Sequence, residues 1–334
     1  MNKILANVCL KILGLHKMYV IAFNTPILDV RGTCVALYDY AHFNETLLKN
    51  KSIIVVPQSA NAISDSIVVD KFTSRFPIYT YSSLEDLELL MMTHKIDLFY
   101  DIKYGKKSGY IPRNVKVGIH CVFDMTEPHG NVYAGVSKSL ALKFGSAIYV
   151  PHMVSLVPDS TENLRSELGI PPDSIVFGRY GGLDTFNLQF AIDTMIRVVN
   201  NCANIYFLLG NSPCYYRHPQ IIHIAKFVKN SDKNRFISTC NAHIEFGTLG
   251  HSFGLAVAEF SVNKKPVIAY TGQVWNTSHI DILADKGIYF NCPQELYSIL
   301  TTWTDDKYKD KAINAYSEYT PEKIMVIFKA VFID

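Results

Sequence analysis

Four short segments hold the residue types that chemistry on a charged substrate needs. Residues 247–268 read GTLGHSFGLAVAEFSVNKKPVI. A loop of small residues (Gly247, Gly250, Ser252, Gly254) runs there into a helix whose apolar positions are Leu255, Val257, Ala258 and Val262. The free N–H groups of a first helical turn, together with the helix dipole, attract an anion. Glu259 falls inside this helix, and in an ordinary loop-helix-strand unit it would sit on a solvated face. Residues 175–192, IVFGRYGGLDTFNLQFAI, run a strand into Gly178-Arg179 and then Gly181-Gly182. An arginine at the carboxyl end of a strand suits bidentate phosphate binding; a surface ion pair is the commoner fate of a single arginine. Residues 31–41, RGTCVALYDYA, place Gly32 after a first strand and at the start of a helix, where backbone can approach a ligand. Residues 115–130, VKVGIHCVFDMTEPHG, close a strand on His120, and a lone histidine there is either a satisfied core group or a contact to substrate. No complete G-x-G-x-x-G is present, which counts against a standard dinucleotide binder.

The elements that must position these groups alternate along the chain. From Met18 onward, short β-branched and aromatic runs alternate with longer amphipathic stretches, the βαβ pattern of a parallel sheet. Strands are expected at 19–23, 53–56, 78–81, 97–100, 115–120, 132–136 and 147–150, with helices at 33–48, 65–75, 84–94 and 137–143. Residues 151–173 carry Pro151, Pro158, Pro171 and Pro172 around one short helix capped by Ser160 or Thr161, and read as a linker. Beyond it, strands are expected at 174–179, 205–209, 235–238 and 266–270. Helices are expected at 187–200, 254–262, 277–286, 294–303, 308–316 and 321–332, the last with Pro321 at its first position. The pattern predicts two doubly wound α/β domains, 18–150 and 174–334 with the C-terminal helices, facing each other across a cleft; residues 1–17 form an N-terminal extension. Ligands bind at the carboxyl ends of such sheets.

Composition narrows the function classes. The 334 residues carry 32 Lys+Arg against 30 Asp+Glu, a net charge of +2 that argues against a nucleic-acid partner. With 49% hydrophobic and 19% charged residues the chain is neither disordered nor a solvating tail. No run of ~20 uncharged apolar residues offers a membrane span. In residues 1–17 Lys11 interrupts the apolar run and no A-x-A site follows, so a secretory signal is not expected. Ile4, Leu5, Val8, Ile12, Leu13 and Leu15 form a helical stripe suited to a membrane surface or to packing on the protein. Seven scattered cysteines, an odd number without zinc-site spacing, predict free thiols in a reducing, cytoplasmic setting.

In order and spacing the four segments resemble the family 4 glycosyltransferases. The typical second-domain motif of that family is a Glu, then Phe-Gly, then a second Glu eight positions after the first, then a Pro-Val strand. His251-Ser252-Phe253-Gly254-Leu255, Glu259 and Pro266-Val267-Ile268 match this frame. Gly178-Arg179, Arg31-Gly32-Thr33 and His120 resemble the family's Gly-Arg, its first-domain glycine loop and its first-domain histidine, and HGNVYAGVSKSLA followed by VPHMV resembles its hinge-proximal strand and helix. The resemblance covers most of residues 18–332. It implies a GT-B fold of two Rossmann-like domains, with the acceptor on the N-terminal side and a nucleotide-sugar donor on the C-terminal side. It further implies sugar transfer with retention, no cofactor beyond the donor substrate and no metal. Arg179 and the N–H groups around Phe253, Gly254 and Leu255 would then stabilise the departing diphosphate, with Gly181-Gly182 supplying further backbone donors. Glu259 would take the ribose hydroxyls, His120 and Arg179 would act at the reacting centre, and Gly32 would admit the phosphates. The resemblance leaves the acceptor open among glycan, lipid and protein.

Two departures from the family pattern bear on activity. The first Glu of the motif is His251, and the lysine expected five positions after the arginine is Asp184, which would repel a diphosphate. Arg31, Lys264 and Lys265 are the candidate replacement cations. These departures keep a second reading open, a binding or scaffold protein without turnover on the same fold. A third reading, a sugar-nucleotide epimerase, would need acid/base groups in the cleft, for which Glu127 and His129 are candidates.

Overall fold

The computed structural model describes residues 17–182 and 185–334, so Asp184 and most of the N-terminal extension lie outside the described residues. The apolar runs of the first half form β1 (Val20–Asn24), β2 (Lys51–Pro57), β3 (Ile78–Tyr81), β4 (Leu98–Lys103), β5 (Lys116–Cys121) and β6 (Val132–Gly135). They pair as one parallel sheet in the order β3-β2-β1-β4-β5-β6. Ile53, Ile54 and Val55 are fully buried in succession, as expected of a strand covered on both faces. Helices α1 (Gly32–Thr46), α2 (Ser66–Thr73), α3 (Leu84–Thr93) and α4 (Lys138–Lys143) follow β1, β2, β3 and β6. Asp65, Ser83 and Ser137 cap α2, α3 and α4 through their side chains.

The second half repeats the plan. Its strands are β7 (Ile175–Tyr180), β8 (Ile205–Gly210), β9 (Ile221–Ile224), β10 (Ala242–Glu245), β12 (Val267–Tyr270) and β14 (Ile288–Phe290). They form a second parallel sheet, β14-β12-β10-β7-β8-β9. Counted from its own first strand, this order is the same as that of the first sheet. The helices are α5 (Gln189–Asn201), α6 (Asn230–Thr239), α7 (Leu255–Val262), α8 (Ser278–Leu283), α9 (Pro293–Thr301) and α10 (Pro321–Phe328). A two-residue ladder, β11 (Gly250–His251) with β13 (Asn276–Thr277), ties the glycine loop to the segment before α8.

Several expected elements differ. Residues 235–238 are not a strand but lie in α6, where Lys233, Phe236 and Ile237 bury one face at helical spacing. The strands β9, β10 and β14 were not expected; β10 reads Ala-His-Ile-Glu, whose buried polar residues hide its strand character. Residues 147–150 contribute only a bridge between Tyr149 and Gly135, and residues 308–316 only a 3-10 turn at Lys309–Lys311. No helix forms in 151–173; the Asp159 carboxylate instead accepts from the Thr161 N–H and hydroxyl in a local turn. This connector is packed, with Leu156 and Ile170 buried in the second half's core.

The C-terminal segment crosses back. Ile324, Met325, Phe328, Phe332 and Ile333 join the core of the first sheet rather than the second. The Phe328 ring lies 5.1 Å from Tyr40 and 5.3 Å from Tyr100. Gly118 on β5 leaves the space that Phe332 fills, since a Cβ there would meet its ring at 2.6 Å. The chain therefore passes between the two sheets twice, at 151–173 and before α10. Phe328→Ala is expected to lower unfolding stability by about 3–5 kcal/mol through the cavity it leaves. Denaturant titration followed by tyrosine environment in the first half checks this, because Tyr40 and Tyr100 pack on that ring.

Candidate active site between the two sheets

Each strand order reverses once, between β1 and β4 and between β7 and β10. Carboxyl ends of strands diverge at such a point and leave a crevice for ligand. The two crevices face one cavity of about 620 Å³, lined by residues of both halves. Gly32, Arg179, Gly181, Gly182, His251, Ser252, Phe253, Gly254, Leu255 and Glu259 all line it, so the structure brings together every sequence-derived site residue except His120.

Two helix starts from opposite sheets meet there. Neither α1, which begins at Gly32, nor α7, which begins at Leu255, has a side-chain cap. A Cβ on Gly32 would stand 3.4 Å from the Leu255 Cδ1 atom, so the two starts are in contact range. Gly254 precedes α7 at φ +85°, and a Cβ would also crowd the His279 Cβ at 3.1 Å; only glycine suits the position. The uncapped N–H groups give the cavity two positive poles without a side chain.

Arg179 is almost fully buried at the end of β7. Its Nη2 donates to the Thr185 carbonyl at 2.9 Å and the Thr185 hydroxyl at 2.7 Å, and stands 3.5 Å from Glu245 Oε1. Its Nε and Nη1 have no partner among the described residues. The ion pair is thus a buried one across the β7/β10 switch point, not the surface pair considered from sequence. Glu245 Oε1 also accepts from the Gly247 N–H at 3.0 Å and lies 3.1 Å from His251 Nε2. Burial would raise the Glu245 carboxyl, but Arg179 and His251 outweigh it and hold the group well below the usual carboxylate range. Next to it, burial pushes His279 down to about 3 and lowers His243. Both are therefore neutral at pH 7.

Glu259 is buried on α7. Its Oε2 accepts from the Tyr180 hydroxyl at 2.6 Å, and its Oε1 pairs with Lys233 of α6. Each carboxylate oxygen keeps lone-pair capacity for a further donor. Lys71 of α2 also lines the cavity and donates to the Val228 carbonyl at 3.3 Å. Arg31 lines it as well, paired with Asp29 at 2.7 Å, whereas Lys264 and Lys265 do not. Lys265 is spent on the Cys240 carbonyl at 2.6 Å.

His120 corrects a sequence expectation. Its ring is fully buried behind the cavity, with Nδ1 2.5 Å from the Tyr100 hydroxyl and Nε2 2.8 Å from the Val150 carbonyl. Both nitrogens are satisfied, so it is a core histidine. The histidine that reaches the cavity from this side is His152, packed 5.6 Å from His120 and 5.5 Å from Phe253, with Nδ1 unpartnered among the described residues. Burial, with His120 beside it, holds His152 well below the ordinary histidine range. Glu127 and His129 also lie away from the cavity: Glu127 pairs with Lys106 at 3.3 Å, and His129 Nδ1 stands 2.6 Å from the Glu127 carbonyl. Sequence reasoning missed His152, Glu245, Lys233 and Lys71. Only His152 had a visible signal, as a residue that follows an apolar run.

His120→Leu is expected to destabilise the fold by about 1–3 kcal/mol, through the orphaned Tyr100 hydroxyl, and to leave nucleotide affinity within about twofold. Burial lowers His120 to about 4, so the unfolded chain binds the extra proton and stability falls as pH drops from about 6.5 through 4. Burial raises Asp39 to about 6, an opposing and smaller trend in the same window. Chemical denaturation at pH 4, 5, 6 and 7 should therefore show a shallower acid loss in His120→Leu.

No family profile and no curated protein matches this sequence. Solved structures do. HepE of Anabaena, in complex with UDP and glucose, superposes with a TM-score of 0.69 at 13% identity over 94% of this chain and 98% of that one. A glycosyltransferase of Rickettsia africae gives 0.67 at 12% identity, over 96% and 100% of the two chains. WaaG, a glycosyltransferase involved in lipopolysaccharide biosynthesis, gives 0.61 at 10% identity, over 93% and 98%. The chain has the GT-B fold, and its likeness to these glycosyltransferases spans nearly the whole of each chain.

Proposed function

We propose that the protein transfers a hexosyl or pentosyl group from a nucleoside-diphosphate sugar to an acceptor hydroxyl, in the manner of family 4 glycosyltransferases. The observation that carries this reading is the convergence of two uncapped helix starts and a buried arginine with two free donors on one cavity between the sheets. In the transfer the bond between the anomeric carbon and the β-phosphate oxygen breaks, and its electron pair stays on the diphosphate. The acceptor oxygen bonds to that carbon, and its proton goes to the departing phosphate. Charge grows on the diphosphate, so the main catalytic demand is fixed positive potential at that oxygen. Arg179 Nε and Nη1, the N–H groups at Gly32 and Leu255, and the backbone of Gly181 and Gly182 would supply it.

Glu259, held by Tyr180 and Lys233, would receive the ribose hydroxyls with its remaining lone pairs. His251 would face the donor sugar with its ring oriented by Glu245. His152, neutral, takes the place near the sugar expected of His120. Retention and independence from metal are what the resemblance implies for this transfer. A cytoplasmic setting rests on the cysteines, which form no disulfide among the described residues. UDP is the first base to test, since HepE is seen with UDP and with UDP-glucose.

The pre-paired state of Arg179 and Glu259 favours one other reading, a nucleotide-binding protein without turnover. Incubation with UDP-, GDP- and ADP-sugars plus chelator separates the two: a transferase releases nucleoside diphosphate, and product NMR reports the anomeric configuration. Binding without release selects the second reading, and no binding to any donor removes both.

Arg179→Ala alone would strand the Glu245 charge and cost about 3–5 kcal/mol of stability. The paired change Arg179→Gln with Glu245→Gln avoids that and is expected to cut donor turnover by roughly a hundredfold. Unchanged turnover would take Arg179 out of the mechanism. Glu259→Gln is expected to weaken UDP binding by about tenfold in calorimetry while leaving affinity for free sugar unchanged.

A further inference from the structure

We propose that the mouth of the cavity is an acceptor subsite for a neutral saccharide, walled by the rings of Tyr104, Phe123 and Trp275. The proposal rests on the transferase reading above and names its acceptor class. All three rings line the cavity, yet they are 52%, 36% and 41% exposed. Exposed aromatics that line one cavity, two of them in ring contact, mark a binding surface more than chance exposure does.

The wall is built rather than incidental. Tyr104 and Phe123 follow the neighbouring strands β4 and β5, and their rings stand 5.5 Å apart. The N–H groups of Phe123 and Asp124 both donate to the Tyr104 carbonyl at 3.0 Å, which locks the two loops together. The loops approach so closely that a Cβ on Gly105, at φ +128°, would overlap the Asp124 carbonyl oxygen at 1.7 Å. From the second half, Trp275 is fixed by Lys143, whose ammonium lies 4.4 Å over the ring and also donates to the Trp275 carbonyl.

The chemistry of the wall selects the ligand. A pyranose has a face of C–H bonds that packs on an aromatic ring and a rim of hydroxyls that needs polar partners. Tyr104 and Trp275 combine both, since each ring carries a polar tip. The Tyr104 hydroxyl and the Trp275 indole N–H make no hydrogen bond to a described residue. Of the nearby charges, Lys106 pairs with Asp124 and Glu127 and Arg31 with Asp29, while the Lys143 ammonium is held on the Trp275 ring and carbonyl. These ion pairs offer little pull on an anionic ligand or an anionic lipid surface.

Trp275 reports on its own site, because the chain has two tryptophans and the other, Trp303, is buried. The emission of the full chain is titrated with maltose, cellobiose, lactose and N,N′-diacetylchitobiose, with and without UDP. At least one disaccharide is expected to give a saturable shift that disappears in Trp275→Phe. Its half-saturation concentration should rise about tenfold in Tyr104→Ala and in Phe123→Ala. UDP affinity by calorimetry should stay unchanged in both. No response to any of the four sugars, or no effect of the two alanine variants, overturns the proposal. So does a response to phosphatidylglycerol vesicles in place of sugars. UDP binding with no sugar response leaves the transferase reading standing and removes this subsite; sugar binding with no UDP binding does the reverse.

Discussion

A guanidinium taken out of water needs a counter-charge, and the arrangement of the second sheet follows from how Arg179 finds one. β7 carries Arg179 to the β7/β10 switch point, and β10 carries Glu245 to the same place. Burying either group alone would be strongly unfavourable. Together they form a pair that leaves Arg179 Nε and Nη1 without a partner among the described residues, on a residue that lines the cavity. The glycine loop after β10 then folds over the pair. The Gly247 N–H binds Glu245, and His251 approaches the same oxygen. That course sets where α7 starts, and so where its uncapped N–H groups point.

The same constraint explains the cluster of neutral histidines. Glu245 is held ionised by Arg179 and His251, so the remaining space around it has no need of a further cation. His243 and His279 are lowered first by burial. They occupy that space as neutral rings that pack like aromatics, His243 against Phe260 at 4.5 Å and His279 against His251 at 5.0 Å. A charged ring at either place would compete with Arg179 for the one carboxylate. The positive potential of the cavity is thereby concentrated on groups that cannot move away: the guanidinium and the two helix starts.

Most of the scaffold was legible because parallel strands buried on both faces are nearly pure apolar runs. β3 was placed to the residue, and β1, β2, β4, β5, β7, β8 and β12 to within a few. The loop before α7 was legible for a different reason, since the positive φ of Gly254 and the crowding at His279 leave that position to glycine. Two of the failures share one cause. β10 and α6 carry buried charged residues, Glu245 and Lys233, and a buried charge erases the apolar periodicity by which an element is recognised. The residues hardest to find were therefore the ones whose partners make burial tolerable. His120 failed the other way. It ends an apolar strand as expected, but whether a histidine faces substrate or core depends on what packs beside it, here Tyr100 and the Val150 carbonyl.

The replacement of a motif glutamate by His251 is less of a loss than it looks from sequence. The carboxylate has moved rather than vanished: Glu245 lies 3.1 Å from the His251 ring and shares the cavity wall with it. Lys233 on Glu259 acts in a similar sense. It neutralises a buried carboxylate and leaves that carboxylate lone pairs for further donors. Both pairs, His251 with Glu245 and Lys233 with Glu259, set a polar ring or an opposite charge beside a buried carboxylate of the cavity wall.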